Sequence, residues 1–338
     1  MPAVTDLVNS SVYNAIRSTI NNVLGVGDGT QNGYGRTLES QTKADNDIIA
    51  ASDMQLLYND LVKARTHQSG SPPTWTNADG LAVPSAGELV GVYAADVGPG
   101  GTSASATTDL NEGFADFEAA AVNIIDNRNV FDSGQFSATI ENNNERQSSW
   151  NGTISHTVTV TWLNADERRY FFNTGGVIRF NANLTGGTSV PGDVTTTPPG
   201  TKDEIWQTML GTMGTITFGK NTTVADGSNP GIGTNVGNYY NAWAATSAAA
   251  PIGVFAKSGA GLYVENEYSI VAWETASNSI RFKIALQDND FGDDAGGASS
   301  SGPEDEDVTG VTTSTVSFLT ATGVLAIPKP ALTVNSNL

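Results

Sequence analysis

Residues 153–162 read Thr-Ile-Ser-His-Thr-Val-Thr-Val-Thr-Trp, and this strict alternation constrains the chain more than any other feature. Successive side chains of a strand point to opposite faces. Ile154, His156, Val158, Val160 and Trp162 therefore share one largely apolar face, and Ser155, Thr157, Thr159 and Thr161 share the other. A helix cannot segregate residues at period two. The pattern returns at Ile280, Phe282, Ile284 and Leu286, which alternate with Arg281 and Lys283. Further strands are predicted at residues 215–218, 262–264, 268–273 and 311–319, the last running toward 324–327. A strand or hairpin pair is predicted through Arg168-Arg169-Tyr170-Phe171-Phe172 and Val177-Ile178-Arg179-Phe180, turning at Asn173-Thr174-Gly175-Gly176. Short strands separated by Gly, Asn and Asp turns predict an antiparallel sandwich. One helix interrupts them. Pro198 and Pro199 precede Asp203 and Glu204, acids suited to a helix N-terminus, and Ile205, Met209 and Met213 supply its apolar face.

Upstream of residue 131 the period is helical. Val4, Val8, Val12, Ile16, Ile20 and Leu24 recur every four residues and stop at Gly25. In a second helix, Ser52 and Gln55 fit a capping box, in which each side chain satisfies a backbone donor of the first turn. Its predicted buried face is Met54, Leu57, Tyr58, Leu61 and Val62. A third helix follows Thr108 and Asp109, with Leu110, Phe114, Phe117, Ala121 and Ile124 on one side. Two heptads are too short for a coiled coil, so this stripe packs within the domain. Residues 68–107 form a loop rich in Gly, Ser, Pro and Ala, a length that in compact domains serves contacts or function. The expected fold class is α+β: a helical N-terminal region over 1–130, then an antiparallel β-sandwich-like body with one packed helix over 131–338.

Composition removes several classes of chemistry. The chain has no cysteine, which excludes disulfides, thiolate metal sites and cysteine nucleophiles. It has two histidines, His67 and His156, far apart in sequence. His156 lies on an apolar strand face and reads as a core histidine. His67, near a helix end, is suited as a cation to the helix dipole. The formal net charge of −19 opposes nucleic-acid binding, which rests on Lys and Arg neutralising phosphates. It also disfavours an anionic membrane surface. No apolar run approaches the ~20 residues that span a bilayer, and Met1-Pro2-Ala3-Val4-Thr5-Asp6 lacks the features of a secretory signal. Synthesis in the cytoplasm is expected.

Two glycine motifs are chance matches. Gly214-Thr-Ile-Thr-Phe-Gly219-Lys220-Asn221 has phosphate-loop spacing, but Asn221 replaces the magnesium-binding Ser/Thr, and residues 215–218 alternate as a strand. Gly231-Ile-Gly233-Thr-Asn-Val-Gly237 lies among turns without a βαβ unit and reads as a flexible loop. The acidic stretch is more informative. Asp288, Asp290, Asp293, Asp294, Glu304, Asp305, Glu306 and Asp307 include no Lys or Arg among them. Mutually repelling carboxylates suit a structural Ca²⁺ or Mg²⁺, with Asp288, Asp290, Asp293 and Asp294 as candidate ligands. The calcium-loop template is not met, because Gly292 comes one place early and Ser299 stands where its Glu belongs. A solvated loop or a docking surface for a basic neighbour competes with that reading. Trp162, Trp206, Trp243 and Trp273 are candidates for a sugar-stacking platform, although tryptophans on alternating strands usually belong to the core.

The segment Arg168-Arg169-Tyr-Phe-Phe-Asn-Thr-Gly-Gly-Val-Ile-Arg179-Phe180, followed by Asp203-Glu204-Ile-Trp206 and Met213-Gly-Thr-Ile-Thr-Phe-Gly219, resembles virion structural proteins of tailed phages, particularly cyanophages. Tyr13-Asn-Ala-Ile16, Gly33-Tyr-Gly35 and Lys63-Ala-Arg65-Thr-His67 resemble the same group. The resemblance covers residues 1–70 and 150–220. It implies a non-enzymatic, tail-fibre-like or tail-associated protein with no cofactor, partnered by copies of itself and by other virion proteins. A host-surface glycan is a further candidate partner, through a receptor-binding module or a tailspike-like glycosidase. A fibre shaft requires sustained heptads or short β repeats. The chain has neither, so a globular homo-oligomeric subunit of tail, neck or baseplate is expected.

Overall fold

The structure, a computed structural model, describes residues 10–29, 32–73, 112–187, 202–234, 237, 247–289 and 307–338. It divides into two compact units. The first comprises Met1–Ser137, Asn173–Gly175 and Ala321–Ile327; the second comprises Ala138–Phe172, Gly176–Thr320 and Pro328–Leu338.

The first unit is built on three helices, α1 (Ser10–Leu24), α2 (Ala51–Ser69) and α3 (Glu112–Asp126). Their core joins Tyr13, Ile16, Ile20 and Leu24 of α1 to Met54, Leu57 and Leu61 of α2 and to Phe117, Ala121 and Ile124 of α3. The predicted four-residue stripe on α1 is only partly buried, since Val12 is 41% exposed. A spacing of four overshoots the ~3.6-residue turn, so the stripe drifts around the helix. Tyr13 and Val23 complete the buried face instead. The start of α2 also differs from the expectation. Asp53, not a Ser52–Gln55 pair, accepts the Ala50 N–H at 2.8 Å. Buried Asp60 holds the preceding segment against α2, accepting from Glu39 N at 2.9 Å, Ser40 N at 3.0 Å and Ser40 Oγ at 2.7 Å.

The second unit is an antiparallel sandwich. One sheet runs β1 (Phe136–Arg146), β10 (Val311–Ala321), β3 (Val177–Thr185), β4 (Ile216–Phe218) and β5 (Thr223–Ala225) in spatial order. The other runs β11 (Ala331–Ser336), β2 (Thr153–Thr161), β9 (Ser279–Gln287), β8 (Glu267–Ala276), β7 (Ile252–Ser258) and β6 (Ile232–Gly233). Register follows the alternation: His156 faces Ile284 and Val158 faces Phe282 across the β2–β9 pair. The sheets meet through aromatic rings. Phe282 of β9 lies 5.1 Å from Phe180 of β3 and 5.0 Å from Phe218 of β4, centroid to centroid. On one side the Thr223 N–H donates to Thr234 O at 3.0 Å, stitching β5 to the chain leaving β6. On the other side the ties are side chains, Lys329 to Glu141 at 2.9 Å and Arg146 to Asn337 O at 3.0 Å.

Among its described residues the body carries two α-helices, not one. Residues expected as a strand through Arg168 to Phe172 form α4 (Ala165–Asn173). Asn164 starts it, its side chain accepting the Glu167 N–H at 2.8 Å. Tyr170, Phe171 and Phe172 are all buried. A strand of this sheet would have turned one of three consecutive residues outward. Trp162 packs on Phe171 and Phe172 at 5.7 and 5.5 Å. The predicted helix near Asp203 is α5 (Lys202–Met213). Residues 261–263 make a 3-10 turn rather than a strand, and the strand expected to run toward 324–327 is followed instead by β11. The glycine segment at 231–237 contributes the short β6, and residues 216–218 form β4 as their alternation predicts. Among the described residues, no helix is long and apolar enough to cross a membrane.

Candidate functional site

Asp288, the first residue of the acidic stretch, sits at the end of β9 with its side chain fully buried. Its backbone N–H donates to Gly152 O at 2.8 Å. Its carboxylate meets the equally buried Lys202 ammonium at 3.1 Å, at the first residue of α5. The Tyr263 ring lies 5.8 Å from that ammonium. Low local dielectric strengthens such a pair, but both charges have left water, so each depends on the other.

The next residue extends the clasp. Buried Asp203 accepts the Thr309 N–H at 3.0 Å, the Gly310 N–H at 3.2 Å and the Thr309 hydroxyl at 2.7 Å. Its carboxylate also lies against Gly187, where a Cβ would meet it at 2.3 Å and φ is +104°. Glycine is the residue this backbone accepts. Gln207 donates to Gly186 O at 2.6 Å. The first turn of α5 thus ties together the exit of β3, the exit of β9 and the entry to β10. Beside it, Trp206 packs edge-on against Trp150 at 5.2 Å, and Trp150 Nε1 donates to Thr312 at 3.0 Å.

For Asp288, then, the compensating cation is Lys202. The other candidate ligands, Asp290, Asp293 and Asp294, lie outside the described residues. Among the described residues, no group of three or more His, Asp or Glu is placed to hold a metal ion. Sequence reasoning missed the Lys202 pairing because the two residues are 86 positions apart. The local signal was a lysine at the start of a helix, where the dipole disfavours it.

Both histidines are buried and point inward. His156 reaches across the sandwich from β2, its Nδ1 2.9 Å from Ser314 Oγ on β10. Burial pushes its pKa down to about 4 from the ordinary 6.5. His67 contacts Thr174 O through Nε2 at 2.9 Å. A carbonyl only accepts, so Nε2 carries the proton. Tyr34 and Phe131 lie 5.5 and 5.4 Å from its ring. Burial lowers its pKa as well. His67 is therefore neutral near pH 7, which replaces the expected cation at the helix end.

The depressed His156 pKa makes a stability prediction. Below 6.5 the unfolded chain takes up a proton that the folded chain refuses until about 4. Stability is therefore present above that window and is lost as pH falls through it, by about 3 kcal/mol from this group. In urea titrations from neutral pH downward, His156→Gln is expected to lose markedly less stability over the window than wild type. Parallel curves would contradict the assignment.

The tryptophans do not form an exposed platform. Trp162, Trp206 and Trp273 are buried, and Trp243 lies outside the described residues. Arg168, buried on α4, pairs with Glu274 at 2.7 Å and donates to Ser277 O at 3.1 Å. The arrangement is one of internal ties, each joining distant strands or loops. No family model, no curated protein and no solved structure matches the chain.

Proposed function

We propose that this chain is a globular structural subunit of a tailed-phage particle, assembling as a homo-oligomer in the tail, neck or baseplate. The observation that carries the reading is the use made of the body's buried polar side chains. His156, Lys202, Asp203, Arg168 and Asp288 are spent on bonds that join the two sheets and pin them to the body's own helices and loops. A chain built this way holds a shape, and the outward positions of β2, β3 and β10 are rich in Thr, Ser and Asn. The resemblance of residues 1–70 and 150–220 to virion structural proteins points to the same class.

The test is compositional. Particles purified through two density gradients are expected to contain this chain at a constant copy number relative to the major head protein. That number should be a multiple of a tail or neck symmetry. Absence from particles, or a copy number that changes between preparations, would overturn the proposal. Release of reducing sugar by the purified chain, abolished by one Asp or Glu substitution, would favour a glycosidase instead.

A further inference from the structure

The outer face of the six-stranded sheet runs against the charge of the chain. Acidic residues number 35 and basic residues 16. Yet Arg281 and Lys283 stand two residues apart on β9, both exposed and on one face. Strand geometry separates them by ~7 Å. Their cross-strand neighbours carry no charge: Thr159 and Thr157 on β2, then Thr333 and Asn335 on β11. On β8 they face Trp273 and Val271.

Six other bases of the described residues, Lys43, Lys63, Arg168, Arg169, Lys202 and Lys329, pair with carboxylates, and others, such as Arg17 and Arg146, donate to backbone carbonyls. Arg281 instead donates to the Thr159 hydroxyl at 2.8 Å, and its guanidinium lies 5.9 Å from the Trp273 ring. The nearby acids are engaged elsewhere: Glu274 by Arg168 and Glu267 by Gln287. Two cations on a flat, hydroxyl-rich surface are complementary to carboxylates, and such complementarity fixes register between partners. Two cations are too few to hold a duplex.

This chain supplies the complementary charge in its sequence. Its net charge is −19, and residues 289–307 contain seven carboxylates and no Lys or Arg. We propose that the Arg281–Lys283 face of one copy seats carboxylates of a second copy of this chain, those of residues 289–307 among them. The inference deepens the homo-oligomeric reading above and rests on it.

Salt dependence gives the sign. Copies carrying only a large like charge repel, and added salt helps them associate. Docking through opposed charges does the reverse. Raising NaCl from about 0.1 M to about 1 M shrinks the screening length from about 10 to about 3 Å. In sedimentation equilibrium of the full chain, the association constant is expected to fall by about tenfold or more over that range. Arg281→Gln with Lys283→Gln takes the net charge from −19 to −21 and is expected to weaken association about tenfold at low salt. Asn181→Asp with Asn183→Asp, on the outer face of the other sheet, makes the same change of −2 and is expected to leave it near wild type. A monomer at every salt concentration overturns the inference; it would mean that the patch serves another anionic partner or the same copy's own acids. Association that rises with salt overturns it too, as does equal weakening by both variants. None of those results removes the chain from the particle, which the copy-number measurement decides separately.

Discussion

Replacing Lys202 by methionine is expected to destabilise the sandwich by about 4 kcal/mol. The side chains of Lys202 and Asp288 are both fully shielded from solvent. Removing the ammonium leaves a carboxylate in a low-dielectric interior, and the cost of that lone charge exceeds the value of the pair. Asp288→Leu should cost a similar amount by stranding the lysine. The double variant, Lys202→Met with Asp288→Leu, should recover most of the loss, because neither member of the pair is then left without its counter-charge. Urea unfolding at pH 7 measures all four species. Midpoints should fall in the single variants and return in the double, with the denaturant slope unchanged. Additive losses would show that the two residues act independently.

Phe282→Ala is expected to cost about 4 kcal/mol as well, by a different mechanism. Phe282 is fully buried at the middle of β9 and touches rings from two strands of the opposite sheet. Truncation loses the transfer energy of a phenyl group and leaves a cavity that two rigid sheets cannot collapse into. Phe282→Leu retains most of the volume and should cost well under half as much. The next residue provides the contrast. Lys283 points outward, and its substitution by alanine should change stability by no more than about 0.5 kcal/mol. Thermal unfolding of the three variants checks the order, and a Lys283→Ala loss comparable to that of Phe282→Ala would contradict the assigned faces.

Where one residue type repeats at a fixed period, the fold was legible. Thr153–Thr161 and Ser279–Gln287 alternate cleanly and are strands in the predicted phase. The α5 helix was marked by its prolines, its acidic first turn and its methionines. The largest failure has a physical cause. Residues 168–172 are apolar and aromatic without alternation, and short runs of that kind do not separate buried strand from buried helix. The deciding signal was Asn164 with Glu167 three residues on, a helix start that outweighs aromatic strand propensity. Strands β1 and β11 escaped notice because they lie at sheet edges and bury little, so their sequences carry a weak pattern.

The site was legible only in part. The acidic stretch drew attention to Asp288, but nothing local indicates that its partner is Lys202. Long-range pairs of single residues leave no periodic trace. His156 was read as a core residue from its place on an apolar face, and its contact with Ser314 is the structural form of that reading. His67 was read as a cation suited to its helix end, but that end is enclosed by Tyr34, Phe131 and Phe136, residues far from it in sequence.

The proposed role makes the acidic sandwich a repeated building block of a phage particle. A cryo-electron microscopy map of intact particles carrying a small tag at the end of this chain tests it most directly. Tagged density of this sandwich's size, repeated around the tail, neck or baseplate axis, is the expected result. Particles with a complete tail and no tagged density anywhere would contradict it.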